Sequence, residues 1–540
     1  MKLTDAGLQN RSVWQSAGYT LPSYDRTAMI EESKRNPKWV HFGAGNIFRV
    51  FPAALQQRLL NEKHVQSGII VGEAFDYQII DEVFAKHDNL TLMVTLNSDG
   101  SISKEVVASV ASAHKCDPQF KEEWKFFTEL FREPSLQMAS MTITEKGYAL
   151  SGADGSFFTA VQSDLEAGPT QSSLFIAKLT ALAHERFLAQ AGPLALVSLD
   201  NCSHNGEKLA DAVKTIAREW HGRGFVTAGF LTYLEEQVTY PWSMIDKITP
   251  RPDEAVKRML EGDGFEDTAL VITEKHTYTA PFVNAEAPQY LVIEDAFANG
   301  RPPLEKAGVY FTDRDTVNKV ERMKVTTCLN PLHTALAIFG CLLGHTLISE
   351  EMQDSDLKRL VERIGYDEGM PVVVDPKILD PKAFIEEVLT VRFPNPFMPD
   401  TPQRIATDTS QKLAIRFGET IKAYLADPQL DIKSLKMIPL VYAGWLRYVM
   451  ALDDELAPFT PSPDPRLGEV QAYVKEIKIG DTGPFPQLEK VLCDPSIWGV
   501  DLIEVGMADL VLSYFTSLIR GKGAVRSTLQ EHVHGRTRSV

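Results

Sequence analysis

The sequence predicts an α/β protein, in which a domain with a mainly parallel sheet is followed by a predominantly α-helical domain. Up to about residue 300, short apolar runs alternate with helical spacing, as in sheets whose strands are buried on both faces. Later segments carry apolar residues at helical spacing throughout. A chain of 540 residues is also too long for one ordinary core. We therefore expect two domains, residues 1–300 and 301–540.

The predicted strands are short apolar runs, at 39–42, 68–72, 90–95, 141–144 and 194–199. Residues before about Pro37 are expected to form an extension packed on the first domain. The predicted helices of the second domain are at 334–347, 410–425 and 502–519. In a parallel sheet of this kind, ligands bind at the carboxyl ends of the strands.

A glycine turn joins the first predicted strand to a helix. Gly43 can form the tight turn, and Gly45 lets backbone amides approach a pyrophosphate at the helix start. Phe48 stands where the usual fingerprint has a small residue. The pattern of strand, glycine turn and helix predicts a Rossmann-type dinucleotide site.

An acidic residue, Glu73, follows the second predicted strand, where such residues accept hydrogen bonds from the adenosine ribose. Asp76 is an alternative for this role. A carboxylate here repels a 2′-phosphate, which favours NAD, with NADP as a further possibility. The predicted cofactor-binding residues are Gly43, Gly45, Asn46, Ile47, Phe48, Arg49 and Glu73.

The composition limits the partners. A formal net charge of −17 argues against a general nucleic-acid surface, which needs clustered Lys and Arg. No run approaches the roughly 20 apolar residues of a membrane span, and no secretory leader pattern is present. We expect a cytoplasmic protein that binds a small molecule, as a monomer or a homo-oligomer.

One segment, 321–333, concentrates proton-handling and hydrogen-bonding groups among apolar neighbours: Glu321, Lys324, Asn330 and His333. It resembles the signature of the polyol-specific long-chain dehydrogenases, the mannitol dehydrogenase family, which includes hexuronate reductases. In that family a Lys is followed by an Asn and, after two residues, a His. Five residues separate Lys324 from Asn330 here, where the family has four. Further similar blocks lie at 40–49, 142–148, 198–206, 240–250 and 395–412.

The resemblance implies a metal-independent oxidoreductase that interconverts a secondary alcohol and a ketone. It implies that Lys324 is the general acid and base, and that Asn201 and Asn330 donate hydrogen bonds to the substrate oxygen. His333 would bind a substrate hydroxyl or orient the base, and Glu321 would relay protons to solvent. No cluster of side chains with metal-ligand spacing is evident near these residues.

The resemblance also implies a substrate-binding set. Arg404 and Lys412 lie two helical turns apart and could grip a carboxylate or several hydroxyls. Asp246 and Asn205, from the first domain, complete the predicted set.

The substrate implied by the resemblance is a sugar acid or a polyol. The leading hypothesis is NAD-dependent interconversion of D-fructuronate and D-mannonate. Tagaturonate with altronate, and fructose with mannitol, stay open as alternatives. A non-catalytic nucleotide-binding regulatory protein is the hypothesis from another class, and the extra residue between Lys324 and Asn330 is its best support.

Overall fold

The chain, seen in a computed structural model that describes residues 1–152 and 154–534, divides into two compact units. The sheet unit comprises residues 1–97 and 101–318, and the helical unit comprises residues 98–100 and 319–540. The division lies after Asn318 rather than at residue 300, because the strand Tyr310–Thr312 still pairs within the sheet unit.

Among the described residues, the strands belong to the sheet unit, where they form four sheets of six, four, three and two strands. In chain order they are β1 (Tyr19–Thr20), β2 (Trp39–Phe42), β3 (Ile69–Glu73), β4 (Thr91–Leu96), β5 (Ile102–Val107), β6 (Val110–Lys115), β7 (Met138–Met141), β8 (Leu194–Ser198), β9 (Val238–Thr239), β10 (Ser243–Asp246), β11 (Val271–Ile272), β12 (Tyr278–Thr279), β13 (Phe282–Glu286), β14 (Tyr290–Glu294) and β15 (Tyr310–Thr312).

The six-stranded sheet has the order β6-β3-β2-β7-β8-β9, and all its pairs are parallel. This is the doubly wound order of a Rossmann fold, so the predicted fold class is confirmed. Each of β2, β3, β7 and β8 is buried along its whole length. Val40 and Phe42 of β2 pack into the core on one face, and Trp39 packs into the core on the other.

Two predicted strands are corrected. The strand predicted at 141–144 lies at β7, three residues earlier, because the carboxylate of Asp200 accepts hydrogen bonds from the N–H groups of Ile143 and Thr144 at 3.0 and 2.8 Å. The run at 90–95 forms β4, which lies in the four-stranded sheet β1-β5-β4-β13 and pairs antiparallel with β5. Its apolar pattern predicts a strand but not which sheet the strand joins.

The helices of the sheet unit lie between the strands and in the N-terminal extension, whose strand β1 pairs with β5. They are α1 (Arg11–Ser16), α2 (Arg26–Arg35), α3 (Asn46–Val50), α4 (Pro52–Asn61), α5 (Lys121–Phe131), α6 (Thr159–Ala167), α7 (Phe175–Leu188), α8 (Asn205–Gly222), α9 (Ala228–Glu236), α10 (Glu254–Gly262) and α11 (Arg314–Met323). The division between the two units falls within α11, after Asn318.

The helical unit confirms the prediction of a mainly helical second part. Its α-helices are α12 (Asn330–Leu343), α13 (Ile348–Glu351), α14 (Ser355–Glu362), α15 (Pro381–Glu387), α16 (Pro402–Ile405), α17 (Thr409–Leu413), α18 (Glu419–Ala426), α19 (Met437–Val449), α20 (Leu467–Val474), α21 (Glu489–Leu492), α22 (Pro495–Trp498), α23 (Ala508–Leu518) and α24 (Ala524–Val533). Helix α19 is buried along its whole length and packs against α12 and α23.

Several helices are interrupted by π-helical turns, which widen the backbone by one residue per turn and recur at functional sites. In the helical unit they lie at Lys324–Cys328, Arg363–Gly369, Val388–Arg392 and Ala414–Gly418. The helix predicted at 410–425 is therefore α17, a π-helical turn and α18. The helix predicted at 502–519 begins only at Ala508.

One stretch of the described residues, Arg314–Leu343, is apolar and long enough for a membrane span by length and composition. Of its most apolar window, 78% is buried inside the protein, as expected of a core helix.

Candidate active site

The glycine turn of the sheet unit has the geometry of a phosphate-binding turn. Gly43 has a φ of +101°, and a Cβ there would lie 2.2 Å from the carbonyl oxygen of Thr142, so only glycine fits. At Gly45 no atom lies within 4 Å of the position of a Cβ. The backbone at Gly45 is therefore open to a ligand, directly before the N-terminus of α3, whose first N–H groups lack helical acceptors.

The carboxylate of Glu73 faces this turn. Its Oε2 accepts a hydrogen bond from the Ala44 N–H at 2.8 Å, and its Oε1 accepts from Phe75 and Asp76 at 2.9 and 3.0 Å. Burial raises the pKa of Glu73 above its ordinary value, against the lowering effect of these three N–H donors. Glu73 thus ties the end of β3 to the glycine turn, and its contact with a ribose stays a prediction.

The remaining motif residues separate into two groups. Asn46 and Ile47 are partly exposed at the start of α3. Phe48 is buried and stacks on His41, with ring centroids 4.1 Å apart. Arg49 is buried, and its guanidinium donates to Thr91, Thr279 and the carbonyl of Pro281 at 3.1 to 3.2 Å. Phe48 and Arg49 therefore pack the turn from behind, and neither side chain is presented to solvent.

The carboxyl end of β8 presents Asn201, which is exposed. Asn205 is fully buried, and its Nδ2 donates to Ser198 O, Asp200 O and Ser243 Oγ, while its Oδ1 accepts from Ser243 N. These bonds join the end of β8 to β10, which also carries the buried Asp246. The geometry indicates that Asn205 positions this strand end and holds Asn201 at its surface.

In the helical unit, Lys324 opens the π-helical turn Lys324–Cys328 and is 5% exposed. The turn packs against α12, whose first residue is Asn330 and whose fourth is His333. Because a π-helical turn holds one residue more than an α-helical turn, it accommodates the extra residue between Lys324 and Asn330. Glu321, partly buried, lies one helical turn before Lys324.

His333 is surrounded by cations. Its ring stacks on Phe393 at 5.0 Å, and its Nε2 is buried, lies 3.7 Å from Asp400 Oδ2 and has no hydrogen-bond partner in the described part of the chain. Burial and, to a smaller extent, nearby positive charges lower the pKa of His333 to about 3. Those charges belong to Arg416, Arg404, Arg392 and Lys412. His333 is therefore neutral at physiological pH.

The helical unit brings both predicted cations to this histidine. The Arg404 guanidinium forms an ion pair with Asp400, and the Lys412 ammonium donates to the carbonyls of Ile405 and Thr407. Two further cations, Arg392 and Arg416, were not predicted from the sequence. The signal for Arg416 is its position four residues after Lys412, which places both on one helical face.

A common local feature positions three of these groups. Lys324, Arg392 and Arg416 each lie in a π-helical turn, at Lys324–Cys328, Val388–Arg392 and Ala414–Gly418. The first and third turns pack against each other. Within residues 1–152 and 154–534, no three His, Cys, Asp or Glu side chains are grouped as a metal site would require, and metal independence stays a prediction.

Comparisons with known proteins agree with this architecture. The family model for the mannitol dehydrogenase Rossmann domain matches residues 37–306, and that for the mannitol dehydrogenase C-terminal domain matches residues 316–506. D-mannonate oxidoreductase of Thermotoga maritima is 51% identical over 99% of this chain and 99% of the relative. Polyol:NADP oxidoreductase of Gluconobacter oxydans is 27% identical, over 90% of this chain and 93% of the relative.

Two solved structures share the fold. A D-sorbitol dehydrogenase in substrate-free form superposes with a TM-score of 0.81 at 24% identity, covering 98% of this chain and 100% of that one. The ternary complex of Pseudomonas fluorescens mannitol 2-dehydrogenase with NAD and D-mannitol has a TM-score of 0.70 at 24% identity, covering 99% and 100%. The chain therefore belongs to the mannitol dehydrogenase family of secondary-alcohol oxidoreductases.

Proposed function

We propose that this oxidoreductase interconverts D-fructuronate and D-mannonate with NAD as cofactor. The observation that carries the proposal is the group of four cations around the buried, neutral His333, which suits an anionic sugar. The relative named D-mannonate oxidoreductase, at 51% identity, supports the choice of sugar acid, whereas a relative named for polyols is 27% identical.

A dinucleotide fits the glycine turn. Gly45 leaves open space in front of the N–H groups of Asn46 and Ile47, where a pyrophosphate would be held. When bound, NADH supplies the hydride that reduces the ketone carbon. NAD is present in the mannitol 2-dehydrogenase complex of the same fold. NADP stays possible, because the carboxylate of Glu73 faces Ala44 and the following backbone.

The protein's own groups would handle the proton and the developing charge. Lys324 donates a proton to the substrate oxygen in reduction and removes it in oxidation. Asn330 donates an amide hydrogen bond to that oxygen, and we assign the same role to Asn201 on the sheet unit. Neutral His333 binds a substrate hydroxyl, and Glu321 passes the proton of Lys324 to solvent. This set needs no metal ion.

The other predicted residues have more distant roles. Arg404 and Lys412 form the cationic wall of the substrate site, and Asp246 binds or orders the substrate from the sheet unit. Asn205 and Arg49 act as positioning residues, because their polar groups are engaged with neighbouring residues of the sheet unit.

The test is NADH oxidation by the purified protein with D-fructuronate, tagaturonate and D-fructose, with NADPH as the alternative cofactor. We expect the highest kcat/KM with fructuronate and NADH. Activity confined to tagaturonate or fructose would show that the proposed substrate is wrong and that the proposed reaction type is right. NADH binding without turnover of any ketose would favour the non-catalytic hypothesis.

A further inference from the structure

Two fully buried arginines of this protein donate to backbone carbonyl oxygens from every guanidinium nitrogen. Arg186, fully buried in the sheet unit, donates to the carbonyl oxygens of Phe131, Glu133, Leu136, Ala191, Gly192 and Pro193. Arg447, fully buried in the helical unit, donates to the carbonyls of Leu452, Asp453 and Leu518. Such arginines are structural, because a guanidinium removed from water needs partners for its five N–H groups.

Arg416 differs. Its Nη1 donates to Thr334 Oγ1 and lies 3.5 Å from the carbonyl oxygen of Asn330. Among the residues that the structure describes, Nε and Nη2 have no hydrogen-bond partner, and no carboxylate pairs with this guanidinium. Arg416 is half-buried, and burial lowers its pKa to about 10. One edge of a half-buried cation thus has no protein partner among the described residues and is open to a ligand.

The neighbouring cations are engaged. Arg404 is paired with Asp400, and its side chain is 63% exposed. The Lys412 ammonium donates to two backbone carbonyls. The Arg416 guanidinium contacts Asn330 and Thr334, so it lies beside the start of α12, the helix that also carries His333.

We propose that Arg416 is the residue that binds the carboxylate of the sugar acid, through Nε and Nη2. These two N–H groups lie parallel on one edge of the guanidinium and match the two oxygens of a carboxylate. The assignment rests on the proposed function and sharpens it. Arg416 gives the enzyme its preference for hexuronates over uncharged ketoses, whereas Arg404 and Lys412 line the site.

The experiment compares kcat/KM for D-fructuronate with kcat/KM for D-fructose, a ketose without the carboxylate. We expect Arg416→Met to lower the ratio of these two values by about 100-fold, as when one partner of a buried charged pair is removed. The loss should fall mainly on the KM for fructuronate. Arg416→Lys, which keeps the charge but not the paired N–H groups, should recover part of the ratio. Arg359→Met, at an exposed arginine of α14, is the matched control and should leave the ratio unchanged.

The outcomes separate this inference from the proposed function. A wild-type enzyme that prefers fructose overturns the proposed function. A wild-type preference for fructuronate that Arg416→Met retains overturns only the assignment of Arg416. Equal loss of both activities in Arg416→Met, with an unchanged melting temperature, also overturns it. If Arg416→Met does not fold, the fructuronate-to-fructose ratio of Arg416→Lys decides, and an unchanged ratio contradicts the proposal.

Discussion

Two buried glutamates, one in each unit, show two ways in which this protein holds a buried carboxylate. Glu73 in the sheet unit accepts hydrogen bonds from three backbone N–H groups, of Ala44, Phe75 and Asp76. Glu351 in the helical unit is equally buried, yet neither of its oxygens has a hydrogen-bond partner within the described residues. Burial raises the pKa of both, and that of Glu351 to about 10.

The arginines repeat this contrast. Arg186 in the sheet unit and Arg447 in the helical unit donate to backbone carbonyl oxygens, whereas one edge of Arg416 has no partner among the described residues. A buried group with hydrogen-bond partners fixes the backbone, and its loss lowers stability. A group without partners either carries a proton, as Glu351 does, or has N–H donors available to a ligand. The contrast predicts which substitutions will affect activity and which will affect folding.

The largest expected effect is on catalysis. Replacement of Lys324 by Ala should lower kcat by about 10³-fold, within the range for loss of a general acid and base. The melting temperature should change little, because the group serves the reaction. Lys358→Ala, at an exposed lysine of α14, is the control. Retained turnover in Lys324→Ala would remove Lys324 from the mechanism.

The two glycines of the turn should separate stability from cofactor binding. Gly43→Ala would place a Cβ 2.2 Å from a carbonyl oxygen at positive φ, and we expect a loss of about 3 kcal/mol in the free energy of unfolding. Gly45→Ala has open space and should fold normally but weaken NADH binding. Urea unfolding and fluorescence titration with NADH measure the two effects. Normal NADH affinity in Gly45→Ala would contradict the assigned pyrophosphate site.

Glu73→Gln tests whether this acid braces the turn or contacts the ribose. An amide has one acceptor oxygen, so part of the set of three N–H bonds is lost, at a cost of about 2 kcal/mol in stability. NADH and NADPH affinities should fall by the same factor. A selective gain in NADPH affinity with unchanged stability would show instead that Glu73 contacts the ribose. Glu122→Gln, on an exposed part of α5, is the control.

A further effect is a pH dependence of the free energy of unfolding. The pKa of Glu351 is raised from 4.5 to about 10 by burial, with Asp354 and Glu350 adding to the shift. Its contribution to stability is therefore complete below about pH 4.5 and is lost as the pH rises toward 10, by about 1.4 kcal/mol per pH unit. Glu351→Gln should remove this slope between pH 5 and about pH 9. The free energy of unfolding is measured by urea at each pH. If it changes with pH in the same way in the wild type and in the variant, Glu351 ionises normally.

The sequence predicted the fold class because the buried strands β2, β3 and β8 have continuous apolar runs. It did not predict that β4 joins a different sheet, since pairing depends on distant partners. The family resemblance placed Lys324, Asn330 and His333 on one helical segment. It did not reveal Arg416, because the difference between an exposed arginine and a half-buried one with an unpaired edge depends on tertiary packing.

The role of Arg416 can be seen directly in a crystal structure of the protein with NADH and D-mannonate, a pair that cannot react. We expect the mannonate carboxylate within about 3 Å of Nε and Nη2 of Arg416. A carboxylate bound elsewhere, with the edge of Arg416 still facing solvent, would contradict this role.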